Sequence, residues 1–208
     1  MVTLETAMLR RWIEALPTTF EANLEQLNAL DARAGDGDHG TTMLRGLQAA
    51  AKALEGLSGS LDARLILKTA GLAFRRAAGG ASGPLFSSLL LELAKMAQVD
   101  GLDLAGLVTG LTNTISSVIK LGKAQAGDRT MLDALIPATE AARAATALKV
   151  ALEAAVQSAG LGVTATATMV AQKGRARNVN AGRVESPDAG ATSVQLMLET
   201  LRHTVEAS

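Results

Sequence analysis

The sequence predicts an all-α protein of about eight amphipathic helices with antiparallel neighbours. Three observations predict it. The 208 residues include 40 Ala and 32 Leu, while aromatic residues make up only 2%. That balance favours helix over sheet. Apolar residues recur at helical spacing along almost the whole chain. Most connections between periodic stretches are short, which favours antiparallel packing of consecutive helices. The length suits one domain, residues 1–208, with a substantial core.

Leu4, Met8, Trp12 and Leu16 are spaced by four and share one helix face. Pro17 is expected to interrupt that run, because its ring suits the first turn of a new helix. Phe20, Leu24 and Leu27 continue the apolar face toward Leu30, and the stretch Gly35 to Gly40 breaks it. A second helix is expected from about Thr42 to Leu54. A turn at 56–60 follows, with Ser60 placed to cap the third helix, Leu61 to Ala78. Gly79-Gly80 ends that helix. The next starts near Gly83-Pro84 and carries Leu85, Leu89 and Leu93 on one face.

Asp103 is placed to cap a helix whose inner face holds Leu104, Leu107, Leu111, Ile115 and Val118. After a loop over 122–127, Thr130 and Asp133 form an N-terminal capping pattern. The Ala-rich stretch from Thr139 to Ala159 divides into two elements near Thr146. Val163 to Val170 is β-branched, yet no partner strands are evident, so helix is expected. Gln172 to Gly190 has no periodicity. The last helix covers about Ala191 to Val205, with Val194, Leu198 and Leu201 in register.

Several function classes are excluded by composition. Lys plus Arg equals Asp plus Glu, 20 each, and there is no Tyr and one Trp. A general nucleic-acid binder needs a basic excess and stacking platforms. No Cys is present, so thiolate metal sites and disulfides are ruled out. His39 and His203 lie far apart, which argues against a zinc site. No run of about 18 apolar residues reads as a membrane span, and no leader pattern opens the chain. The expectation is a soluble cytoplasmic protein, with no nucleic-acid partner and no membrane insertion.

Chemistry concentrates in four loops: 35–42, 79–84, 122–130 and the long basic 172–190. The first is the most informative. Asp31, Asp36 and Asp38 fall within eight residues, and glycines let successive carboxylates fold toward one point. Hard oxygen ligands so gathered suit Mg²⁺ or Ca²⁺. An EF-hand counted from Asp36 would require Glu at its twelfth position, where Leu47 stands. Gly40-Thr41-Thr42 then opens a helix, and a helix N-terminus favours phosphate. The bland reading of this loop is a solvated acidic turn.

The loop resembles the GDGDHG signature of the nucleotide-binding L subunit of dihydroxyacetone kinases. Gly79-Gly80-Ala81-Ser82-Gly83-Pro84-Leu85 and Gly127-Asp128-Arg129-Thr130-Met131-Leu132-Asp133 follow in the family's order. Gly174-Arg175-Ala176 and Pro187-Asp188-Ala189-Gly190-Ala191 complete it. The resemblance implies a barrel of eight antiparallel amphipathic helices with a nucleotide site in the loops at one end. It implies ATP or ADP with two Mg²⁺ ions held by Asp31, Asp36 and Asp38. His39, Gly40, Thr41 and Thr42 would line the phosphates, and Ala81 and Ser82 would add backbone donors. Gly122 and Met131 would flank the nucleoside. Arg175 would approach the phosphates, and Asp188, Ala189 and Gly190 would close the site. Bland readings stand beside these: Ser82 and Asp188 as helix caps, Met131 as core filler, Arg175 in a solvated basic loop with Lys173, Arg177 and Arg183.

The family also implies a division of labour. A separate K subunit holds a short ketose, and this chain would supply the phosphoryl donor. In phosphotransferase-fed members, ADP stays bound and a phosphohistidine protein of that system recharges it. Here Arg177-Asn178 replaces a common Ser-Tyr, and Asp188-Ala189-Gly190 replaces Asp-Pro-Gly. The run Arg183 to Asp188 resembles ATP-dependent members more than phosphotransferase-fed ones. A non-catalytic nucleotide sensor and a lipid-holding barrel are the rival readings, and a homodimer stays open.

Overall fold

The structure, a computed structural model, describes residues 3–57, 62–179 and 184–208. The helical periodicity becomes nine α-helices among the described residues. They are α1 Thr6–Ala22, α2 Leu24–Ala32, α3 His39–Glu55, α4 Ala63–Ala78 and α5 Ser82–Met96, then α6 Leu104–Gly122, α7 Leu132–Ala144, α8 Leu148–Thr166 and α9 Ala189–Glu206. A 3-10 turn, Arg175–Asn178, interrupts the connection between α8 and α9. The expected Ser60 cap lies outside the described residues.

Caps fix several helix starts. Asp62, Asp103 and Asp188 accept hydrogen bonds from the backbone N–H groups of Arg64, Gly106 and Ala191. At α7, Thr130 Oγ1 accepts from Leu132 N–H, and the Asp133 carboxylate accepts from Thr130 N–H at 2.8 Å. The expected capping pattern is therefore reciprocal. The Ala-rich stretch does split near Thr146, between α7 and α8.

Pro17 does not interrupt α1, which runs straight through it. Proline removes one intrahelical hydrogen bond, but Ile13, Leu16 and Phe20 are completely buried around it. Burying such side chains contributes roughly 1.5–3 kcal/mol each, enough to hold the local helix. The break falls at Asn23, whose side-chain amide donates back to Thr19 O at 2.8 Å. Leu4 lies outside the helix as well. It belongs to a two-residue strand β1, Leu4–Glu5, antiparallel to β2, Gly101–Leu102. The predicted start of α3 at Thr42 also moves. Asp38 O accepts from Thr42 N–H, which brings His39, Gly40 and Thr41 into the first turn.

The helices close a ring. From α3 to α9 each packs on the next in sequence, and α1 lies between α9 and α3 to complete it. Eight helices thus form the barrel, and short α2 packs against α3 and α9 as a ninth. The core is shared, with Trp12, Phe20, Phe74, Met43 and Leu47 all essentially inaccessible. Trp12 Nε1–H donates to Met197 O at 3.0 Å, so even its polar atom is satisfied inside. Helix α6 is long and apolar enough to cross a membrane by length and composition. It packs between α5 and α7, with Leu107, Leu111 and Val118 in the shared core. Because neighbours alternate in direction, the starts of α3, α5, α7 and α9 meet the ends of α2, α4, α6 and α8 at one end.

Candidate functional site

That end holds a cleft of about 420 Å³, to which all four chemically marked loops contribute. Its acidic wall begins at the end of α2. The Asp31 carbonyl accepts from the N–H groups of Ala34 and Gly35, which turns the chain sharply. Gly37 takes φ +76°, a conformation that favours glycine. Asp31 Oδ2 then accepts from Asp38 N–H at 3.0 Å. The result is that carboxylate oxygens of Asp31, Asp36 and Asp38 lie within 4.8 Å of one another. Asp38 sits at the N-cap of α3, yet its side chain makes no cap hydrogen bond. Its oxygens stay with the cluster. Like charges so close need a cation, and the Arg175 guanidinium pairs with Asp36. Three converging carboxylates offer the hard oxygen ligands that a divalent cation takes.

His39 follows at the start of α3. Its Nε2 lies 2.8 Å from Ser193 Oγ on α9, and its ring centroid lies 5.9 Å from that of Phe86. Burial pushes its pKa down to about 4, against an opposing pull from Asp31. The imidazole is therefore neutral at pH 7. Beside it, Thr42 and Arg45 face the cleft from α3. Arg45 donates to Ala77 O and Ala78 O at 2.8 and 2.7 Å, tying down the end of α4 before the Gly79-Gly80 turn. Ala81 and Ser82 open α5 on the same wall.

Gly122, Met131 and the turn before α9 also line the cleft. Met131 is only 4% exposed, and it belongs to the core as well as to the cleft. The Asp188 carboxyl, capping α9, is pushed up to about 6, chiefly by burial. Arg129 Nη1 lies 3.9 Å from it.

Comparison with known proteins identifies the family. The model of the DAK2 domain matches residues 33–203. The chain is 34% identical over 205 residues to the PEP-dependent dihydroxyacetone kinase, ADP-binding subunit DhaL, of Escherichia coli, covering 96% of this chain and 97% of that protein.

The chain belongs to the DAK2 domain family.

The chain also matches part of longer proteins. The chain is 36% identical to the D-erythrulose kinase of Mycolicibacterium smegmatis, covering 97% of this chain and 36% of that protein. The crystal structure of the dihydroxyacetone kinase from C. freundii in complex with AMP-PNP and Mg²⁺ superposes with a TM-score of 0.72 and 26% identity. That match covers 98% of this chain and 35% of the other. The chain thus spans about a third of these two and nearly all of the bacterial subunit.

Within this DAK2 fold, most of the residues singled out from sequence converge. Asp31, Asp36, Asp38, His39, Thr42, Ala81, Ser82, Gly122, Met131, Arg175, Asp188, Ala189 and Gly190 all line the cleft. Gly40 and Thr41 do not. A Cβ on Gly40 would lie 2.6 Å from Leu24 O, so glycine there lets α3 cross α2 closely. Thr41 exchanges hydrogen bonds with the Asn28 side chain on α2. Of the basic loop, Lys173 reaches the cleft and Arg177 does not; Arg183 lies outside the described residues. Sequence reasoning missed Arg45, Arg129 and Phe86. Arg45 carried a signal: it stands three residues after Thr42 and so shares its helix face. Arg129 stood inside a quoted motif, but its partners are distant in sequence.

Proposed function

We propose that this chain is the nucleotide-binding subunit of a dihydroxyacetone-kinase system, handing a phosphoryl group to a short ketose held on a separate K subunit. The observation that carries the reading is the meeting of a three-carboxylate cluster and several helix N-termini across one cleft. The carboxylates suit a divalent cation, and the helix starts suit phosphate oxygens. Asp31, Asp36 and Asp38 would hold two Mg²⁺ ions, which would neutralise phosphate charge during in-line transfer. The N–H groups at the starts of α3 and α5 would receive phosphate oxygens. Neutral His39 would offer a hydrogen bond rather than a charge. Arg175 would exchange its pairing with Asp36 for the phosphates once the cluster holds metal. Met131 and Gly122 would bound the nucleoside.

Transfer from exchangeable ATP is the first reading. A second is a resident ADP recharged by a phosphohistidine protein. It is supported by the whole-length match to the PEP-dependent, ADP-binding DhaL subunit of Escherichia coli.

Reconstitution tests the proposal. The purified chain alone is expected to phosphorylate no dihydroxyacetone, and addition of a K subunit with Mg-ATP is expected to give turnover. Turnover by the rigorously purified chain alone defeats the division of labour. No transfer with any K subunit, despite ADP binding, points to a nucleotide sensor. The rate at which labelled ATP replaces bound ADP separates the two readings.

A further inference from the structure

Arg129 is an inaccessible cation for which the functional reading has no use. It is 2% exposed and takes φ +60°, a left-handed conformation uncommon outside glycine. A buried charge in that conformation persists only where its surroundings hold it. Its guanidinium reaches two other segments. Nε–H donates to Thr166 O at the end of α8, at 3.2 Å. Nη2–H donates to Ser186 O at 2.6 Å and more weakly to Pro187 O at 3.4 Å. Nη1 has no hydrogen-bond partner among the described residues and faces the Asp188 carboxylate at 3.9 Å. Thr166 Oγ1 in turn accepts from Asp188 N–H at 2.8 Å. Arg129 therefore fastens the turn before α9 to the end of α8 and the start of α7.

We propose that Arg129 is a positioning residue for the nucleotide cleft, acting through the Ser186–Asp188 turn to hold Asp188 and the first turn of α9 in place. This rests on the nucleotide reading above. The location gives it specificity. The Arg129 contacts lie on the wall formed by α7, α8 and α9, whereas the carboxylate cluster is built by α2 and the start of α3. Loss of Arg129 should loosen the Ser186–Asp188 turn far more than the carboxylates, which Arg175 and His39 also tie to the α8–α9 connection and α9. A guanidinium fork is required, since a single ammonium cannot serve Thr166 O, Ser186 O and Asp188 together.

The test uses Arg129→Lys and, as a second route to the same turn, Thr166→Val. The latter keeps side-chain volume and removes the acceptor for Asp188 N–H. Three measurements are made on the full chain: amide hydrogen exchange without ligand, ADP affinity by calorimetry with Mg²⁺, and Mn²⁺ affinity by electron paramagnetic resonance without nucleotide. Faster exchange concentrated at Asp188, Ala191 and Thr192 is expected in both variants. ADP affinity should fall tenfold or more, with Mn²⁺ affinity changed less than twofold. Unchanged ADP affinity in folded Arg129→Lys overturns the proposal. So does an equal loss of ADP and Mn²⁺ affinity, which marks a general structural role. Should the wild-type chain bind no ADP, the nucleotide reading itself fails. The exchange data then judge the turn: unaltered rates at 186–192 in both variants overturn the clamp.

Discussion

Four aspartates occupy N-cap positions among the described residues, and they do different work. Asp62, Asp103 and Asp188 accept an N–H of the first turn. Asp38 does not, and its carboxylate joins Asp31 and Asp36 instead. Asp36 is the informative one to change, because it is half exposed and pairs with Arg175. Asp36→Asn should leave ligand-free stability within about 0.5 kcal/mol, as surface changes usually do. It should remove the Mg²⁺-dependent rise in thermal midpoint that ADP gives. A melt in which ADP with Mg²⁺ stabilises the variant as well as the wild type contradicts the assigned metal role. Asp188 carries a second prediction. Its folded pKa is raised to about 6 from 3.8, so the folded chain binds this proton more tightly than the unfolded chain. The cost of ionised Asp188 is thus fully present above about pH 6 and is relieved as pH falls toward about 4. Relative to Asp188→Asn, the wild type should gain on the order of 2 kcal/mol over that fall. Urea titrations of both proteins at several pH values measure it, and parallel curves refute it.

At the scale of elements, what was legible in the sequence was local. Caps at Asp103 and Thr130, the loop at 122–127 and the division near Thr146 depend on residues within one turn of each other, and all are found. What was illegible depends on distant partners. Pro17 reads as a break until the burial of Ile13, Leu16 and Phe20 is known. The β1–β2 ladder joins residues almost a hundred positions apart. Arg129 bonds carbonyls 37 and 57 residues away, so its motif advertised importance without a role. Gly40 reads only as a phosphate neighbour, and its close approach to Leu24 of α2 could not be read from its motif. Gly162 is a similar case with a sharper consequence. A Cβ there would run into the Asp133 carbonyl oxygen, a rigid backbone atom at the start of α7. Gly162→Ala gains helix propensity but must push α8 from α7. The net expectation is destabilisation of about 1–3 kcal/mol, typical of overpacking. Chemical denaturation reads it directly, and a variant as stable as the wild type shows that α8 has room to move.

The whole molecule explains why chemistry spaced over 160 residues of sequence meets in one cleft. An alternating ring of eight helices sends every second connection to the same end, and those connections carry the four marked loops. The ring is packed mostly by small and aliphatic side chains, which is why composition revealed the fold class and concealed the site. A ligand spanning this cleft would bridge the ends of α2, α4, α6 and α8 and the starts of the helices that follow. Its binding should therefore act on the barrel as a unit. At a free concentration of a hundred times Kd, binding to the native state alone adds about 2.7 kcal/mol. For a chain of this size that corresponds to roughly 5–10 °C in Tm. Mg-ADP should produce this shift, and ADP with chelator should produce little of it, because the carboxylate cluster repels bare phosphates. Hydrogen exchange should show protection rising together at 36–42, 80–84, 128–132 and 188–192. Protection confined to the acidic loop would mean that the ligand sits on one wall only, and that the convergence of the other three loops serves the fold rather than the nucleotide.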